Sequence, residues 1–367
     1  MYKILVGCGG SGGHIYPALS FTQKLSEKTP CEFLFLGSLH RIDEKIFEKN
    51  KLKYELLPDF AVRHRISFGY IKVAINLIRG ILKTAFIIIK FRPHVFVGFG
   101  GFVSAAGAIT SFVFCVPVIL HEQNLIPGRA NVLSKFFAKK ICISFPETSK
   151  YFGKKAVFTG NAIRNFEKIP KKDALVYFGF DEKKTTILVV GGSSGARSMN
   201  QYVIEMLKCL DKNILDQIQI LHLTGEQEEE RVRNEYSQLN VTRRIYGFFD
   251  KMGVAYGATD IAISRAGAST IIELLREGIA SILLPYTVDP LAHQVANAKY
   301  ISSNGAAYSI IPNENAVSEL RNKFSELVLD KENRKKVSMN AKSLNWANGA
   351  NNISEVILPI LKNVKKY

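Results

Sequence analysis

A chain of 367 residues, 47% hydrophobic and 22% charged, has the composition of a soluble globular protein and is too long for one ordinary core, so two domains are expected. Its five cysteines are scattered, odd in number and without a Cys-x-x-Cys pair, which excludes a disulfide framework or zinc ribbon and points to reduced cytosolic thiols. The net charge of +17 is uneven, with 22 Lys and Arg against 9 Asp and Glu in residues 1–160 and 27 against 23 thereafter, so the first half calls for an anionic partner: nucleic acid, phosphorylated substrate or membrane surface.

The first strand is expected at once, over Tyr2 to Val6, which leaves no room for a leader peptide. It enters the glycine loop from Gly7 to Gly13, and Ile15 to Leu25 follows with helical spacing. Strand, glycine loop and helix turn backbone N–H groups toward an anion at the positive end of the helix dipole. Gly7, Gly9 and Gly12 match a dinucleotide fingerprint. The second strand, Glu32 to Leu36, nevertheless ends on Gly37 and Ser38 where that fold needs an acid for a ribose, so the oxidoreductase reading loses ground.

From Phe60 to His121 there is no acidic residue. Lys72, Asn76, Arg79 and Lys83 form a basic helical stripe, Ile71, Ile75, Ile78 and Leu82 an apolar one beside it, and Leu77, Ile81, Ala85 and Ile88 another. Two apolar stripes exceed one core contact. Ile71, Lys72, Ile75, Ile78, Arg79, Leu82 and Lys83 are therefore expected to meet a membrane interface, with a buried helix whose lysines snorkel as the rival reading. Val95 to Leu120 is uncharged but broken by glycines and Pro117, so it reads as strand, small-residue helix and strand of a covered parallel sheet, and not as a membrane span.

His121, Glu122, Gln123 and Asn124 follow a strand, where open α/β sheets bind ligands. Residues 165–184 read as a charged, irregular passage. A second strand and glycine loop, Thr186 to Arg197, then echo the opening. Further strands are expected at 218–223, 244–247, 261–264 and 281–285, and a last helix runs from Asn345 to Lys362. The whole predicts two doubly wound Rossmann-like α/β domains facing a cleft, residues 1–163 and 164–344, with 345–367 packing back on the first.

Arg265 to Thr270 is a third small-residue turn before a helix. Ser269 and Thr270 can cap it while its N–H groups take phosphate oxygens, and Glu273 can hold a ribose diol; a plain capping box is the competing explanation. No phosphate-loop NTPase motif or Asp-x-Asp pair is present in the sequence. His14, at a helix start after the glycine loop, suits a general base, with His121 or Glu122 as the next candidates.

Six motifs occur in order: Gly9-Gly10-Ser11-Gly12-Gly13-His14, Gly98-Phe99-Gly100-Gly101-Phe102-Val103-Ser104, His121-Glu122-Gln123-Asn124, Gly160-Asn161-Ala162-Ile163-Arg164, Gly191-Gly192-Ser193-Ser194-Gly195-Ala196, and Arg265 to Thr270 with Glu273. Together they resemble the MurG family of bacterial UDP-N-acetylglucosamine transferases. The resemblance implies a GT-B glycosyltransferase without metal or cofactor, peripheral at the cytoplasmic face of the inner membrane. Its partners would be UDP-N-acetylglucosamine, lipid I, anionic lipid, and other wall-synthesis and division proteins, with no nucleic acid. It places the donor on the second domain: Arg164 and Ser193 at the diphosphate, Ala268, Ser269 and Thr270 at phosphate, Glu273 at the ribose, the backbone of Phe249 at uracil, Gln294 and Asn124 at the sugar. Gly9, Gly10, Gly100, Gly101 and Ser104 would hold the acceptor diphosphate, with Ser11, Gly12 and Gly13 reaching the donor sugar. Phe102, Ala162 and Ser194 depart from the usual residues. An epimerase on the same scaffold and a non-catalytic membrane-bound binding protein are the alternatives.

Overall fold

The computed structural model describes residues 1–363 apart from 11, 40, 59–67, 165, 192–196, 289–290 and 345–347, with the backbone alone at 41 and 68–74. Ser11, Ser193 and the side chains of Ile71 and Lys72 thus lie outside the described residues. The chain forms two compact units, residues 1–164 with 346–367, and residues 165–345.

The first unit begins with β1 (Tyr2–Gly7), α1 (Gly12–Lys28), β2 (Cys31–Ser38), α2 (Arg41–Lys49), β3 (Tyr54–Leu57) and α3 (Phe68–Phe91). It continues with β4 (Val95–Gly98), α4 (Gly101–Val113), β5 (Val118–Glu122), α5 (Arg129–Ser134), β6 (Lys140–Ile143), the short α6 (Ser149–Phe152) and β7 (Ala156–Phe158). Its seven-stranded sheet has the order β3-β2-β1-β4-β5-β6-β7 and is parallel throughout. The second unit contains α7 (Lys171–Phe178), β8 (Thr185–Val190), α8 (Arg197–Lys208), α9 (Lys212–Asp216), β9 (Ile218–Leu223), α10 (Glu229–Ser237), β10 (Thr242–Tyr246) and α11 (Met252–Ala258). It ends with β11 (Ile261–Ser264), α12 (Ala268–Glu277), β12 (Ala280–Leu283), α13 (His293–Ser303), β13 (Tyr308–Ser309), α14 (Ala316–Leu329) and α15 (Lys331–Ser343). Its six strands run β10-β9-β8-β11-β12-β13, again all parallel. The final helix, α16 (Gly349–Asn363), belongs to the first unit.

Alternation along the central strands shows why both faces need cover. Ile4, Val6 and Cys8 pack on one face with Ile15 and Phe21, while Leu5 joins Ile87, Ile88 and Val103 on the other. In the second unit Ile187 and Val189 meet Val203, Tyr236 and Phe324, and Leu188 and Val190 meet Phe178, Met252 and Leu274. α16 closes the first of these faces with Ile353, Ile357 and Leu361, each fully buried, so Ile357→Ala should cost about 2–5 kcal/mol.

Val95 to Leu120 resolves into β4, α4 and the start of β5, and among the described residues no helix is long and apolar enough to cross a membrane. The passage 165–184 is not irregular as expected. It holds α7, which buries Ala174, Leu175 and Phe178 and ends on the left-handed Gly179. The charges that disguised it lie on the other side of the helix.

α3 has two apolar faces with different fates. Ile87 and Ile88 are buried, with Leu77 and Ile81 packed beside them, whereas Ile75, Ile78, Leu82, Phe86 and Ile89 form an exposed row in which Phe86 is 68% accessible. Lys83 departs from the expected lipid-facing role. Its ammonium pairs with Glu55 at 2.9 Å and donates to the Leu56 carbonyl at 3.0 Å, tying α3 to β3.

Candidate active site

In each sheet the strand order reverses once, between β1 and β4 in the first unit and between β8 and β11 in the second. Such reversals leave a crevice at the strands' carboxyl ends, because the connections depart to opposite faces. The glycine loop after β1 and the Gly100–Gly101 turn after β4 stand at the first reversal.

His14 lies in the first turn of α1, with Nδ1 2.9 Å from the Gly9 carbonyl. A carbonyl only accepts, so Nδ1 carries the hydrogen and the lone pair of the neutral ring is on Nε2. The ring rests on the turn into α4: a Cβ at Gly100 would stand 2.9 Å from Nε2, and Gly100 has φ +105°. Glycine is therefore required there twice over, for space and for backbone conformation. The first turns of α1 and α4 both have N–H groups without intrahelical acceptors, and Gly100 caps α4 with no side-chain hydrogen bond. An imidazole with a defined acceptor nitrogen thus stands beside two helix ends suited to an anion.

Part of the expected acceptor cradle is committed elsewhere. The Gly10 N–H donates to both Asp43 carboxylate oxygens, at 3.1 and 2.9 Å. The Gly100 N–H donates to Ser104 Oγ at 3.0 Å, and that hydroxyl donates to the Gly7 carbonyl at 2.8 Å. Ser104 is 1% exposed, so it braces the loop and does not face a ligand. Of that expected cradle Gly101 stands at the start of α4, while Gly12 and Gly13, expected at the donor sugar, stand at the start of α1; N–H groups at such helix starts suit an anion.

The two reserve bases are structural. His121 is fully buried; desolvation pushes its imidazole down to about 4, against the weaker opposing pull of the Gly160 carbonyl. Its ring stacks near Phe99 and sits among Gln123, Ser144 and Gly160. Glu122, 1% exposed, accepts from the Asn124 N–H at 2.9 Å, the Gly128 N–H at 3.0 Å and Asn131 Nδ2 at 2.8 Å. A carboxylate so engaged pins the loop before α5. Asn124, half-buried, is fixed by that same carboxylate. Arg164 lies over the Tyr16 ring, 4.6 Å from its centroid, just beyond His14 on α1.

In the second unit Arg265 leaves β11 almost buried and donates to the Leu284 carbonyl at 2.9 Å, the Pro285 carbonyl at 3.3 Å and Ser198 Oγ at 2.6 Å. It thereby joins the start of α8 to the end of β12. The cap of α12 differs from expectation. Gly267 is the N-cap, and Ser269 and Thr270 stand inside the first turn. Ser269 Oγ is buried without a hydrogen-bond partner, next to first-turn N–H groups that likewise lack intrahelical acceptors. Those donors suit a phosphate. Glu273, 2% exposed, accepts the Tyr256 hydroxyl at 2.6 Å. Phe249 belongs to an aromatic cluster with Tyr177, Phe178 and Tyr246. Gln294 Oε1 accepts from the Tyr286 N–H at 3.0 Å, which holds the turn after β12.

Residues 4–143 match the glycosyltransferase family 28 N-terminal domain, and residues 186–355 the family 28 C-terminal domain. Across 98% of its length the chain is 31% identical to the whole of the UDP-N-acetylglucosamine--N-acetylmuramyl-(pentapeptide) pyrophosphoryl-undecaprenol N-acetylglucosamine transferase of Bacillus subtilis (strain 168). The chain belongs to glycosyltransferase family 28, in its MurG group. The crystal structure of Acinetobacter baumannii MurG has the same fold, with a TM-score of 0.77 at 24% identity over 98% of this chain and 100% of that one. A UDP-GlcNAc 2-epimerase from Neisseria meningitidis also shares it, with a TM-score of 0.67 at 13% identity over 98% and 100%. Fold alone does not separate transferase from epimerase; the likeness of sequence along the whole chain does.

Two anchors of this MurG-group chain carry no sequence signal. Asp43 looks like any acid in the first turn of an amphipathic helix, and Arg265 like one cation in a small-residue turn. Only the tertiary structure shows the first fully buried against the glycine loop and the second joining two loops.

Proposed function

We propose that this chain transfers N-acetylglucosamine from UDP-N-acetylglucosamine to the C4 hydroxyl of lipid I, the undecaprenyl-pyrophosphoryl-linked N-acetylmuramyl-pentapeptide, giving lipid II. The observation that carries the reading is His14, whose Nδ1–H is bound to the Gly9 carbonyl at the strand-order reversal of the first unit. A sugar hydroxyl is a weak nucleophile, and Nε2 is placed to take its proton as the oxygen attacks C1 of the donor. The C1–O bond to UDP breaks with its electron pair leaving on the β-phosphate oxygen. One such displacement inverts the anomeric carbon from α to β.

Charge then develops on the diphosphate. The first turn of α12 with Ser269 and Thr270, together with Arg164 and Ser193, stabilises it, while Glu273 holds the ribose and the backbone of Phe249 meets uracil. Gln294 and Asn124 contact the sugar. Gly101 holds the acceptor diphosphate, and Gly12 and Gly13 reach the donor sugar. On this reading the exposed row of α3, with Arg79, meets lipid, and the enzyme works as a peripheral protein at the cytoplasmic face of the membrane where its acceptor is anchored.

Incubation with radiolabelled UDP-N-acetylglucosamine and a lipid I analogue tests the reading. Label is expected in the lipid product only when acceptor is present. Normal donor binding with no label in lipid overturns it, and acceptor-independent conversion of the donor to an epimer selects the other reaction on this scaffold.

A further inference from the structure

The Gly10 N–H that binds Asp43 and the Gly9 carbonyl that binds His14 are the two ends of one peptide unit. Asp43 Oδ2 stands 2.9 Å from that nitrogen, and His14 Nδ1 stands 2.9 Å from that oxygen. We infer that Asp43 is a positioning residue for the transfer reaction, acting on His14 through the Gly9–Gly10 peptide as a buried carboxylate acts directly on histidine in a hydrolase triad. The inference rests on the reading of His14 as base.

The physical basis is polarisation of the amide. A carboxylate at the N–H draws positive charge to that end and leaves the carbonyl oxygen more negative, so it accepts more strongly from Nδ1–H. This favours the tautomer with its lone pair on Nε2, and it favours the imidazolium that forms when the acceptor hydroxyl gives up its proton. The local structure is built for the contact. Asp43 is fully buried at the start of α2 and receives the Ser38 N–H at 2.9 Å and the Ser38 hydroxyl at 2.7 Å besides Gly10. A Cβ at Gly9 would stand 2.7 Å from Asp43 Oδ2, so only glycine lets the carboxylate reach the peptide.

Among the described residues, the other titratable or charged groups around the pair include Cys8, His121, Tyr16 and Arg164. Cys8 and His121 are buried and uncharged at neutral pH, the thiol pushed up and the imidazole pushed down by desolvation. Arg164 is held over Tyr16, two residues beyond His14. Asp43 supplies the negative charge of the group.

The test uses the full-length protein with 15N-labelled histidine and glycine. In the native protein neutral His14 is expected as the Nδ1–H tautomer, with the Gly10 amide shift moving as His14 is protonated. Asp43→Asn is expected to mix the tautomers, to shift the acidic limb of the kcat profile to lower pH, and to lower kcat about tenfold to a hundredfold. The KM for UDP-N-acetylglucosamine should hold. A folded Asp43→Asn enzyme with unchanged tautomer and kcat profile overturns the inference. If that variant does not fold, a Gly10 amide in the native protein that ignores His14 protonation overturns it equally. His14→Gln separates the two claims: retained kcat in that variant refutes the base, while the NMR coupling of Asp43 to His14 stands or falls by itself.

Discussion

Tyr256 donates its hydroxyl to Glu273 Oε2 at 2.6 Å, and both side chains are buried. The bond joins α11 to α12 and fixes one carboxylate oxygen, which on the proposed role of Glu273 sets where the carboxylate would meet a ribose diol. Tyr256 in turn packs on Phe166, whose ring carries the Arg276 guanidinium 3.8 Å from its centroid. Tyr256→Phe should weaken UDP binding about tenfold, since a hydrogen bond to a charged group contributes about 1.5–3 kcal/mol and part of it is felt by the ligand. Calorimetric titration with UDP measures this; unchanged affinity would count against Glu273 at the ribose.

Gly100→Ala probes the seat of His14. The added methyl meets Nε2 and the backbone is held at φ +105°, so the ring must shift or the turn must open. A kcat loss of at least about a hundredfold is expected, because a displaced base loses most of its contribution. UDP affinity, which the proposal assigns to the other unit, should be intact, and a variant with normal kcat would show that the ring position is immaterial.

Glu122 and His14 should separate cleanly. Glu122→Ala strands the Gly128 and Asn131 donors in a buried site and should destabilise the first unit by about 3 kcal/mol. His14→Ala should leave the melting temperature within a few degrees while kcat falls about 10²–10⁴-fold. Urea unfolding beside turnover assays decides the matter: the opposite pattern would return Glu122 to the chemistry.

Acid sensitivity follows from two buried histidines. Burial holds His121 to about 4 and His222 to about 3, the latter with a smaller push from Arg231. Unfolded histidine titrates near 6.5, so between about pH 6.5 and 4 the unfolded chain binds protons that the folded one refuses. Stability is then full above about pH 6.5 and declines as pH falls through that window, by about 1.4 kcal/mol per unit for each histidine. Urea midpoints at pH 7.5 and 5 should show the drop, and His222→Gln should flatten it for the second unit. A pH-independent midpoint would contradict the burial argument.

Membrane docking through α3 predicts a division of labour. Replacing Ile78, Leu82 and Phe86 by Ser should abolish sedimentation with anionic liposomes, and Arg79→Glu should weaken it in a salt-dependent way. Lys83→Glu should instead act mainly on stability, because Lys83 is paired with Glu55. Unaltered liposome binding in the triple Ser variant refutes the docking face.

Legibility in the sequence tracked the physics of each element. Strands buried on both faces announce themselves, so β1, β4 and β8 were visible as apolar runs leading into glycine, and β5 as one leading into His121. Two stripes on α3 were visible too, but which one the core claims depends on α4 and β3, which no local pattern encodes. α7 was hidden because three buried positions among lysines look like a loop until α11 covers them. His121 and Glu122 read as reactive because they are polar at a strand end; their burial depends on Phe99 and Asn131, distant or unremarkable in the chain. Ser269 read as a cap because a hydroxyl near a helix start usually is one, and Gly267 took the place through backbone conformation alone.

The placement of α16 bears on how the protein is made. Residues 165–345 are contiguous, whereas the first unit lacks Ile353, Ile357 and Leu361 until nearly the whole chain has left the ribosome. Domains usually mature in the order of synthesis. Here the first unit emerges first with one sheet face bare, and the second can complete its core before it. A nascent chain stalled near residue 345 would show Phe21 and Ile15 to chaperones, and translation to its end is what withdraws them.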